Sequence, residues 1–231
     1  MLRKWEDLPD FMRTPEVRPY WEVLDKKRGQ LALKRAFDVT AGTILLALLC
    51  PPMAVIAVMI KRDSEGPIFY RQERVTTYGK RFRIHKFRTM VSNADKIGTA
   101  VTVGNDSRIT KVGAKLRGYR LDELPQVIDV IKGDMSFVGT RPEAVKYVEQ
   151  YSPVYNATLL LPAGITSEAS IRYKDEDRLL DAAKDVDKVY IEDVLPEKMS
   201  YNLQSIRNYS LSGEIVTLFR TVFAVFGPNK S

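Results

Sequence analysis

Residues 41–60 form an uninterrupted run of 20 uncharged residues, which restricts the fold more than any other feature of the chain. As a straight helix at about 1.5 Å per residue, the run would be about 30 Å long, which matches the apolar core of a bilayer. Pro51 and Pro52 lie at its midpoint. Their rings clash with the carbonyls of Ala47 and Leu48 and two backbone donors are missing, so the run predicts a sharp bend.

Basic pairs flank this run at residues 34–35 and 61–62. Because positive charge is retained on the cytoplasmic side, both ends favour the same side of a membrane. A re-entrant helix-break-helix, which enters one leaflet and returns, fits both the prolines and the charges. From the residues alone, a kinked transmembrane span fits equally well. A buried core helix fits less well, because helices of soluble proteins rarely run 20 residues without a polar face.

The rest of the composition excludes several classes of protein. Apolar residues make up 45% of the 231, which is enough for a sizeable core and too many for a wholly disordered chain. The chain has one cysteine, Cys50, and one histidine, His85, so we expect no internal disulfide, no cysteine-rich zinc site and no multi-histidine metal site. Residues 1–30 lack the ordered zones of a signal peptide and are predicted to form an irregular arm.

The net charge of +7 is unevenly distributed. Residues 61–120 carry 15 Lys and Arg against five Asp and Glu, whereas residues 121–197 carry eight against 16. The basic part is where an anionic partner would dock, whether nucleic acid, nucleotide, phospholipid headgroup or sugar phosphate. Alternation within residues 80–88 predicts a β-strand with Phe82, Ile84 and Lys86 on one face and a cationic face opposite. His85 has no metal-type ligands around it and is interpreted as structural.

Apolar residues repeat at helical spacing across residues 121–133, with Pro125 near the start and Gly133 at the end. This pattern places Asp122 and Glu123 at a helix N-terminus, where the helix dipole and free N–H groups favour a charged carboxylate or a phosphate. An Asp-Glu pair before a proline is usually only a helix cap. Here it directly follows a cluster of cations that could hold an anion against it: Arg108, Lys111, Lys115, Arg117 and Arg120.

A carboxylate beside such a cluster can attack phosphorus and form an acyl phosphate. An adjacent second carboxylate can hold Mg²⁺, which neutralises phosphate oxygens so that the two anions can approach. Arg141 follows shortly after Gly133, and arginine is the natural bidentate ligand of phosphate. Asp122 and Glu123 are therefore the candidate catalytic and metal-binding residues.

Several short motifs within about residues 31–167 together resemble the bacterial sugar transferases, the small monotopic phosphoglycosyl transferases that begin glycan assembly on polyprenyl phosphate. Each motif is weak alone, and the set is highly specific. The motifs are KRAFD at 34–38, the apolar run broken at Pro51, GPIF at 66–69, KFRTM at 86–90, DSRIT at 106–110, LDELPQ at 121–126, GDMS at 133–136, RP at 141–142 and PAGIT at 162–166.

The resemblance implies that Asp122 attacks the sugar-bearing phosphate of a UDP-sugar, expels UMP and holds the phosphosugar until polyprenyl (undecaprenyl) phosphate accepts it. Glu123 and Asp122 would bind Mg²⁺, and Pro51 would bend a re-entrant membrane helix, which favours that path over a transmembrane span. The reaction would be the first membrane step in making a polysaccharide, such as exopolysaccharide or capsule, or another glycoconjugate. The residues implied to bind substrate are Lys86, Arg88, Arg108, Arg117 and Arg141.

The expected fold is therefore α+β, mostly helical with a short β element, in a monotopic protein on the cytoplasmic face of the bacterial inner membrane. The expected segments are the arm at 1–30, the re-entrant hairpin at 31–62, a catalytic domain at 63–197 and a C-terminal helical segment at 198–231. The expected partners are the UDP-sugar, polyprenyl phosphate and the bilayer, with no nucleic acid, and a homo-oligomer is left open. Residues 211–226 either pack on the core or lie at the membrane interface.

Two alternatives to this mechanism remain open. One is a direct transferase that forms no covalent adduct and uses Asp122 as a general base. The other is a non-catalytic, membrane-anchored module that binds anionic lipid or nucleic acid. A binding module would not need Asp122 and Glu123, and their negative charge would weaken its binding of polyanions.

Overall fold

The computed structural model describes residues 2–92, 94, 107–173 and 185–226. Its strands are β1 (Phe69–Val75), β2 (Arg81–Phe87), β3 (Met135–Val138) and β4 (Ala163–Thr166). The predicted mixture of many helices with a small β component is confirmed for these residues. The α-helices are α1 (Arg18–Asp25), α2 (Arg28–Asp63), α3 (Lys111–Gly118), α4 (Gln126–Lys132), α5 (Val145–Val148), α6 (Glu168–Arg172), α7 (Val186–Val189), α8 (Leu195–Arg207) and α9 (Leu211–Phe226).

Helix α2 contains the whole apolar run and is 36 residues long. Helical structure continues across Pro51 and Pro52, so the prolines do not divide it into two separate elements. Within the described residues, α2 is the one helix long and apolar enough to cross a membrane, and 11% of its most apolar 18-residue window is buried. The prediction of a long apolar helix is confirmed and fits a monotopic membrane anchor, while its re-entrant path stays a prediction.

Each half of α2 packs against a different part of the protein. The first half contacts α4 and β3, and Gly42 leaves room for Ile131 of α4. The second half contributes Met53, Ile56 and Ile60 to an apolar cluster with Phe87 of β2 and Leu116 of α3, among others. Between and around these contacts many apolar side chains stay exposed, including Ile44, Leu48, Val55, Val58 and Met59.

The strands form two separate two-stranded sheets. Strands β1 and β2 are antiparallel with Tyr70 opposite Lys86, whereas β3 and β4 are parallel with Met135 beside Ala163. The strand predicted at 80–88 is confirmed, and Phe82 and Ile84 are buried as expected. The opposite face is less uniform than predicted, because His85 and Phe87 are buried there while Arg81 and Arg83 are exposed.

The N-terminal arm is part of the core. The prediction of an irregular arm is wrong for Arg18–Asp25, which forms α1, and the preceding residues form short 3₁₀ turns at Trp5–Asp7 and Asp10–Met12. Leu24 of α1 is fully buried in an apolar cluster with Leu160 and with Ile206 of α8. The misleading signal was the mixture of charges, prolines and tryptophans, which hid the few apolar residues that the arm buries.

Helix α9 begins and ends where the sequence predicted, at Leu211 and Phe226. One side packs against α2, α6, β3 and β4. Another side stays exposed and apolar, so the core-packing interpretation holds for only part of the helix surface. The exposed side chains are Ile215, Val216, Phe219, Val222 and Phe223.

Candidate active site

Asp122 and Glu123 lie in a 3₁₀ turn, Leu121–Glu123, that leads into α4. The turn starts from Arg120, whose φ of 54° is in the left-handed region that non-glycine residues rarely adopt. Pro125 precedes the first residue of α4, and Gly133 ends the helix with a φ of 88°. The prediction that the pair lies at a helix start is thus confirmed, and the strained backbone at Arg120 marks the site.

Both carboxylate oxygens of Glu123 are bonded to cations. Lys86 of β2 donates from Nζ to Oε1 at 2.9 Å, and Arg141 donates to both oxygens, with Nη1 3.3 Å from Oε2 and Nη2 bonded to Oε1. Arg141 lies three residues beyond the end of β3. The sequence-predicted residues Lys86, Glu123 and Arg141, which are far apart in the chain, therefore meet at one point.

Asp122 is in a different electrostatic state. Within the residues that the structure describes, its carboxylate forms no ion pair. Burial, and next the negative charge of Glu123, raise its pKa above the ordinary aspartate value, against the opposing charges of Lys86 and Arg117. For Glu123, burial also favours the neutral form, but the charges of Arg141 and Lys86 outweigh it and hold its pKa well below the usual range. The pair thus combines a firmly ionised glutamate with an unpaired aspartate of raised pKa.

Arg117 of α3 is half-buried, and its charge acts on Asp122. It forms no hydrogen bond or ion pair in the described part of the chain, unlike Lys86 and Arg141. Arg117 is therefore placed to meet an anion that approaches Asp122.

The other two predicted substrate-binding cations are engaged elsewhere. Arg88 is buried and donates to carbonyl oxygens at the end of α2, with Nη2 2.6 Å from Ser64 O and Nη1 2.9 Å from Glu65 O. Arg108 donates to Ala94 O at 2.8 Å, and residues 95–106 beside it lie outside the described residues. Pro51 lies within α2 and is exposed. Within the described residues, Arg88 and Arg108 thus donate to backbone carbonyls, and neither is bonded to Glu123.

Two residues near the site were not predicted. Glu143, two residues after Arg141, has a side chain that is 10% exposed and accepts hydrogen bonds from Tyr190 Oη at 2.6 Å and Lys198 Nζ at 3.2 Å. These bonds fix the segment that carries Arg141. Gln126, three residues after Glu123, is buried, and neither polar atom of its amide has a partner among the described residues. Gln126 is the last residue of the LDELPQ motif and Glu143 directly follows the RP motif, and these positions were the signals that could have identified them.

A close backbone crossing holds the Arg141 segment in place. Gly164 N of β4 donates to Thr140 O at 2.8 Å, and Gly139 N donates to Thr166 O at 3.0 Å. A Cβ atom at Gly164 would lie 2.2 Å from the nitrogen of Gly139, which only glycine avoids. The glycine of the PAGIT motif thus permits the approach that brings Arg141 toward Glu123.

His85 has the structural role that the sequence predicted. Its Nδ1 lies 2.5 Å from Asp129 Oδ1, and its backbone N–H donates to Asp129 Oδ2 at 2.8 Å. Both side chains are buried, so the pair ties β2 to α4. This contact also fixes Lys86, the next residue of β2, beside the turn that carries Glu123.

Nearly the whole chain, residues 29–228, matches the model of the family described as bacterial sugar transferase. Over 199 residues and 84% of its length, the chain is 38% identical to the UDP-glucose:undecaprenyl-phosphate glucose-1-phosphate transferase of Escherichia coli (strain K12). Over 193 residues and 82% of its length, it is 35% identical to the UDP-N-acetylgalactosamine-undecaprenyl-phosphate N-acetylgalactosaminephosphotransferase of Aeromonas hydrophila.

The alignments cover 40% and 43% of those two relatives, so the chain spans about two fifths of their length. Exopolysaccharide production protein ExoY of Rhizobium meliloti (strain 1021) is closer in size, with 30% identity over 83% of this chain and 84% of ExoY. The family model and these relatives agree with the resemblance carried by the short motifs. The chain therefore belongs to the bacterial sugar transferase family.

Proposed function

We propose that the protein transfers a sugar 1-phosphate from a UDP-sugar to undecaprenyl or another polyprenyl phosphate and releases UMP. The observation that carries the proposal is the contrast between the two neighbouring carboxylates. Asp122 forms no ion pair among the described residues and has a raised pKa, whereas Lys86 and Arg141 keep Glu123 ionised. The relatives from Escherichia coli and Aeromonas hydrophila are named as transferases that act on undecaprenyl phosphate. The product would begin a surface polysaccharide or glycoconjugate.

The transfer proceeds in two displacements at phosphorus. A carboxylate oxygen of Asp122 bonds to the sugar-bearing phosphorus, and the bond from that phosphorus to the bridging oxygen breaks, so UMP leaves with the electron pair. A phosphate oxygen of the polyprenyl phosphate then bonds to the same phosphorus. The bond to Asp122 breaks, which regenerates the carboxylate and yields a polyprenyl-diphosphate-linked sugar.

The cations around the dyad reduce the repulsion between the carboxylate and the diphosphate. Arg117 faces Asp122 with its donors uncommitted among the described residues, which suits a phosphate oxygen. Lys86 and Arg141 hold Glu123 ionised and keep their positive charge next to the reacting phosphorus. Stabilising charge that develops in the transition state is the main contribution that such groups make to phosphoryl transfer.

Mg²⁺ fits the donor set of this site. Mg²⁺ typically binds one or two carboxylates together with substrate phosphates and water. Asp122 would supply a carboxylate oxygen directly, whereas Glu123 would exchange a bond to Lys86 or Arg141 for the metal. Mg²⁺ would neutralise phosphate oxygens.

The membrane path that we propose for α2 is re-entrant, with both ends on the cytoplasmic side. Support comes from contacts near the two ends of the helix. Near its start, Lys34 Nζ donates to Val138 O at 2.9 Å, and at its end Asp63 Oδ2 accepts from Val112 N at 2.9 Å. Both contacts are to the part of the chain that contains the dyad. A helix that crossed the bilayer would place one of these contacts on the far side.

The transfer itself is tested by UMP release from protein in nanodiscs with Mg²⁺, polyprenyl phosphate and a panel of UDP-sugars. We expect one member of the panel to give sustained release that requires the lipid acceptor. The intact protein should gain the mass of one sugar phosphate with the UDP-sugar alone, and Asp122→Asn should not. Sustained release without an adduct would favour the direct transferase. No release and no adduct with any sugar would favour the non-catalytic binding module.

The membrane path is tested by labelling from one side of sealed vesicles. Gly29→Cys and Arg62→Cys, each in a Cys50→Ala background, place a single thiol near either end of α2, and both positions are exposed. We expect a membrane-impermeant maleimide to reach both thiols from the cytoplasmic side. Labelling of the two positions from opposite sides would establish a transmembrane span instead.

A further inference from the structure

The charged side chains near the start of α2 point into the protein rather than toward solvent. Lys34 is 5% exposed and bonds to Val138 O at 2.9 Å and to Glu214 Oε2 of α9 at 2.7 Å. Asp38 is 3% exposed, and its Oδ1 accepts from Phe137 N at 3.2 Å. These two residues of the KRAFD motif therefore hold the last two residues of β3.

Arg35 of the same motif holds a different element. Its Nη1 donates to Val130 O and its Nη2 to Ile131 O, both at 2.7 Å. These carbonyls belong to the last turn of α4, where carbonyl groups have no partner within the helix. Arg35 thus caps α4, the helix that begins three residues after Glu123.

The end of α2 makes the corresponding contacts to the other two segments of the site. Arg88 donates to the carbonyl oxygens of Ser64 and Glu65, which directly follow α2. Arg88 itself directly follows β2, the strand that carries Lys86. Asp63 accepts from Val112 N at the start of α3, the helix that carries Arg117. Every segment that supplies a dyad or dyad-facing side chain is thus bonded to α2 or to the residues that follow it.

We propose that α2 is the template on which the active site is assembled, with Lys34, Arg35 and Asp38 as positioning residues. Their task is to set the dyad turn and the Arg141 segment at the correct separation. The inference rests on the proposed function and goes beyond it, because it gives these flanking charges a role other than contact with lipid headgroups. In this arrangement, the position of α2 in the bilayer affects the geometry around Asp122.

These contacts affect catalysis through the geometry of the site. The dyad turn precedes α4, which has seven residues, and the Arg141 segment follows β3, which has four. Neither element is long enough to be stable without tertiary contacts. Displacement of a catalytic group by about 1 Å can lower a rate about 100-fold. Loss of the Arg35 bonds would free the last turn of α4 and let the dyad turn shift relative to Arg141.

The test compares Arg35→Gln with Arg35→Lys and with the matched control Arg62→Gln. Arg62 is an exposed cation near the other end of α2 and forms no hydrogen bond or ion pair among the described residues. For Arg35→Gln we expect kcat to fall about 10-fold to 100-fold. The KM for the UDP-sugar and flotation with anionic vesicles should change little. Arg35→Lys, which can still bond to one carbonyl, should recover part of kcat, and Arg62→Gln should retain full kcat.

Hydrogen exchange provides a readout that does not depend on turnover. In Arg35→Gln the amides of the dyad turn and of α4 should exchange faster than in the wild type, while those of α1 and α8 should not change. The positioning role is overturned if exchange of these amides is unchanged, or if Arg35→Gln retains full kcat. If Arg35→Gln does not fold, the same comparison is made with Arg35→Lys. If the wild type releases no UMP, the proposed function fails and exchange still decides the positioning role.

Discussion

The dyad region and the core around the N-terminal arm are stabilised by different interactions. Around Asp122 and Glu123, short elements are joined by charged side chains and backbone carbonyls, as in the contacts of Lys86 and Arg141 with Glu123. Around the arm, the cluster that contains Met12, Val17 and Leu24 is almost entirely apolar and fully buried. One region depends on the placement of charge and the other on the burial of apolar area.

The difference separates function from stability. Buried charges and a strained backbone weaken a fold, and proteins retain them where chemistry requires them. Apolar burial supplies most of the favourable free energy of folding and carries no chemistry. Substitutions around the dyad should therefore change activity more than stability, and substitutions in the arm core should do the reverse.

The largest effect is expected for Asp122→Asn, which removes the proposed nucleophile. Sugar-phosphate transfer should fall by about 10⁴-fold or more, as is typical when a nucleophile is lost. Because the environment raises the pKa of Asp122, its ionised form opposes folding at neutral pH, so the variant should unfold at a slightly higher temperature than the wild type. UMP release and thermal unfolding, with exposed Asp193→Asn as the matched control, measure both effects. Transfer within tenfold of the wild type would exclude Asp122 as the nucleophile.

A smaller loss is expected for Arg141→Gln, which removes one of the two cations on Glu123. Transfer should fall by about 10²-fold to 10³-fold, the range found when one electrostatic donor is lost from an active site. The pKa of Glu123 should rise, because burial raises it and, of the two charges that lower it, only that of Lys86 would remain. Arg81→Gln, at an exposed arginine on β2, is the matched control and should retain activity. Equal loss in the two variants would point to a general effect of charge.

The arm core should give the opposite result. Leu24→Ala leaves a cavity at a fully buried site and should destabilise the protein by about 3 kcal/mol. For a chain of this size, the midpoint of thermal unfolding should fall by about 6–12 °C. Activity of the folded protein at low temperature should stay within twofold of the wild type. Leu33→Ala, at a side chain that is 61% exposed, is the control and should change stability by about 0.5 kcal/mol or less. A specific loss of transfer in Leu24→Ala would show that the two regions are coupled.

The dyad region was also the more predictable of the two from sequence. Helical spacing and Pro125 located the turn, and the short motifs selected Lys86, Arg117 and Arg141 as its cations. These signals are local or carried by motifs. The bounds of α9 followed from its apolar residues in the same way, and the strand at 80–88 followed from alternation.

The sequence is least informative where the environment of a side chain depends on distant segments. Lys34 has the sequence signal of a flanking membrane cation, yet it is buried against Val138 and Glu214, which are 104 and 180 residues away. Arg88, predicted to bind substrate, donates to carbonyls directly after α2, and its contact with substrate stays a prediction. In the arm, Tyr20 and Leu24 recur at helical spacing, but the prolines and mixed charges around them hid this signal. The burial of that face depends on distant partners such as Leu160 and Ile206. A charge at one position does not reveal which backbone groups it will meet.

The smallest expected effect is a shift in pH dependence, and it separates the two carboxylates within the dyad region. Asp122 must be ionised to attack, so the rate should fall as the pH falls through its pKa, which lies above the ordinary aspartate value. The charge of Arg117 lowers that pKa, so Arg117→Gln should raise it further and move the acid limb of kcat/KM to higher pH. Lys115→Gln, at an exposed lysine of the same helix, should leave the limb in place. Glu123 stays ionised over the same pH range because its pKa is held low, so it does not contribute to this limb. If the acid limb of kcat/KM moved to lower pH in Arg117→Gln, the titration would belong to a group other than Asp122.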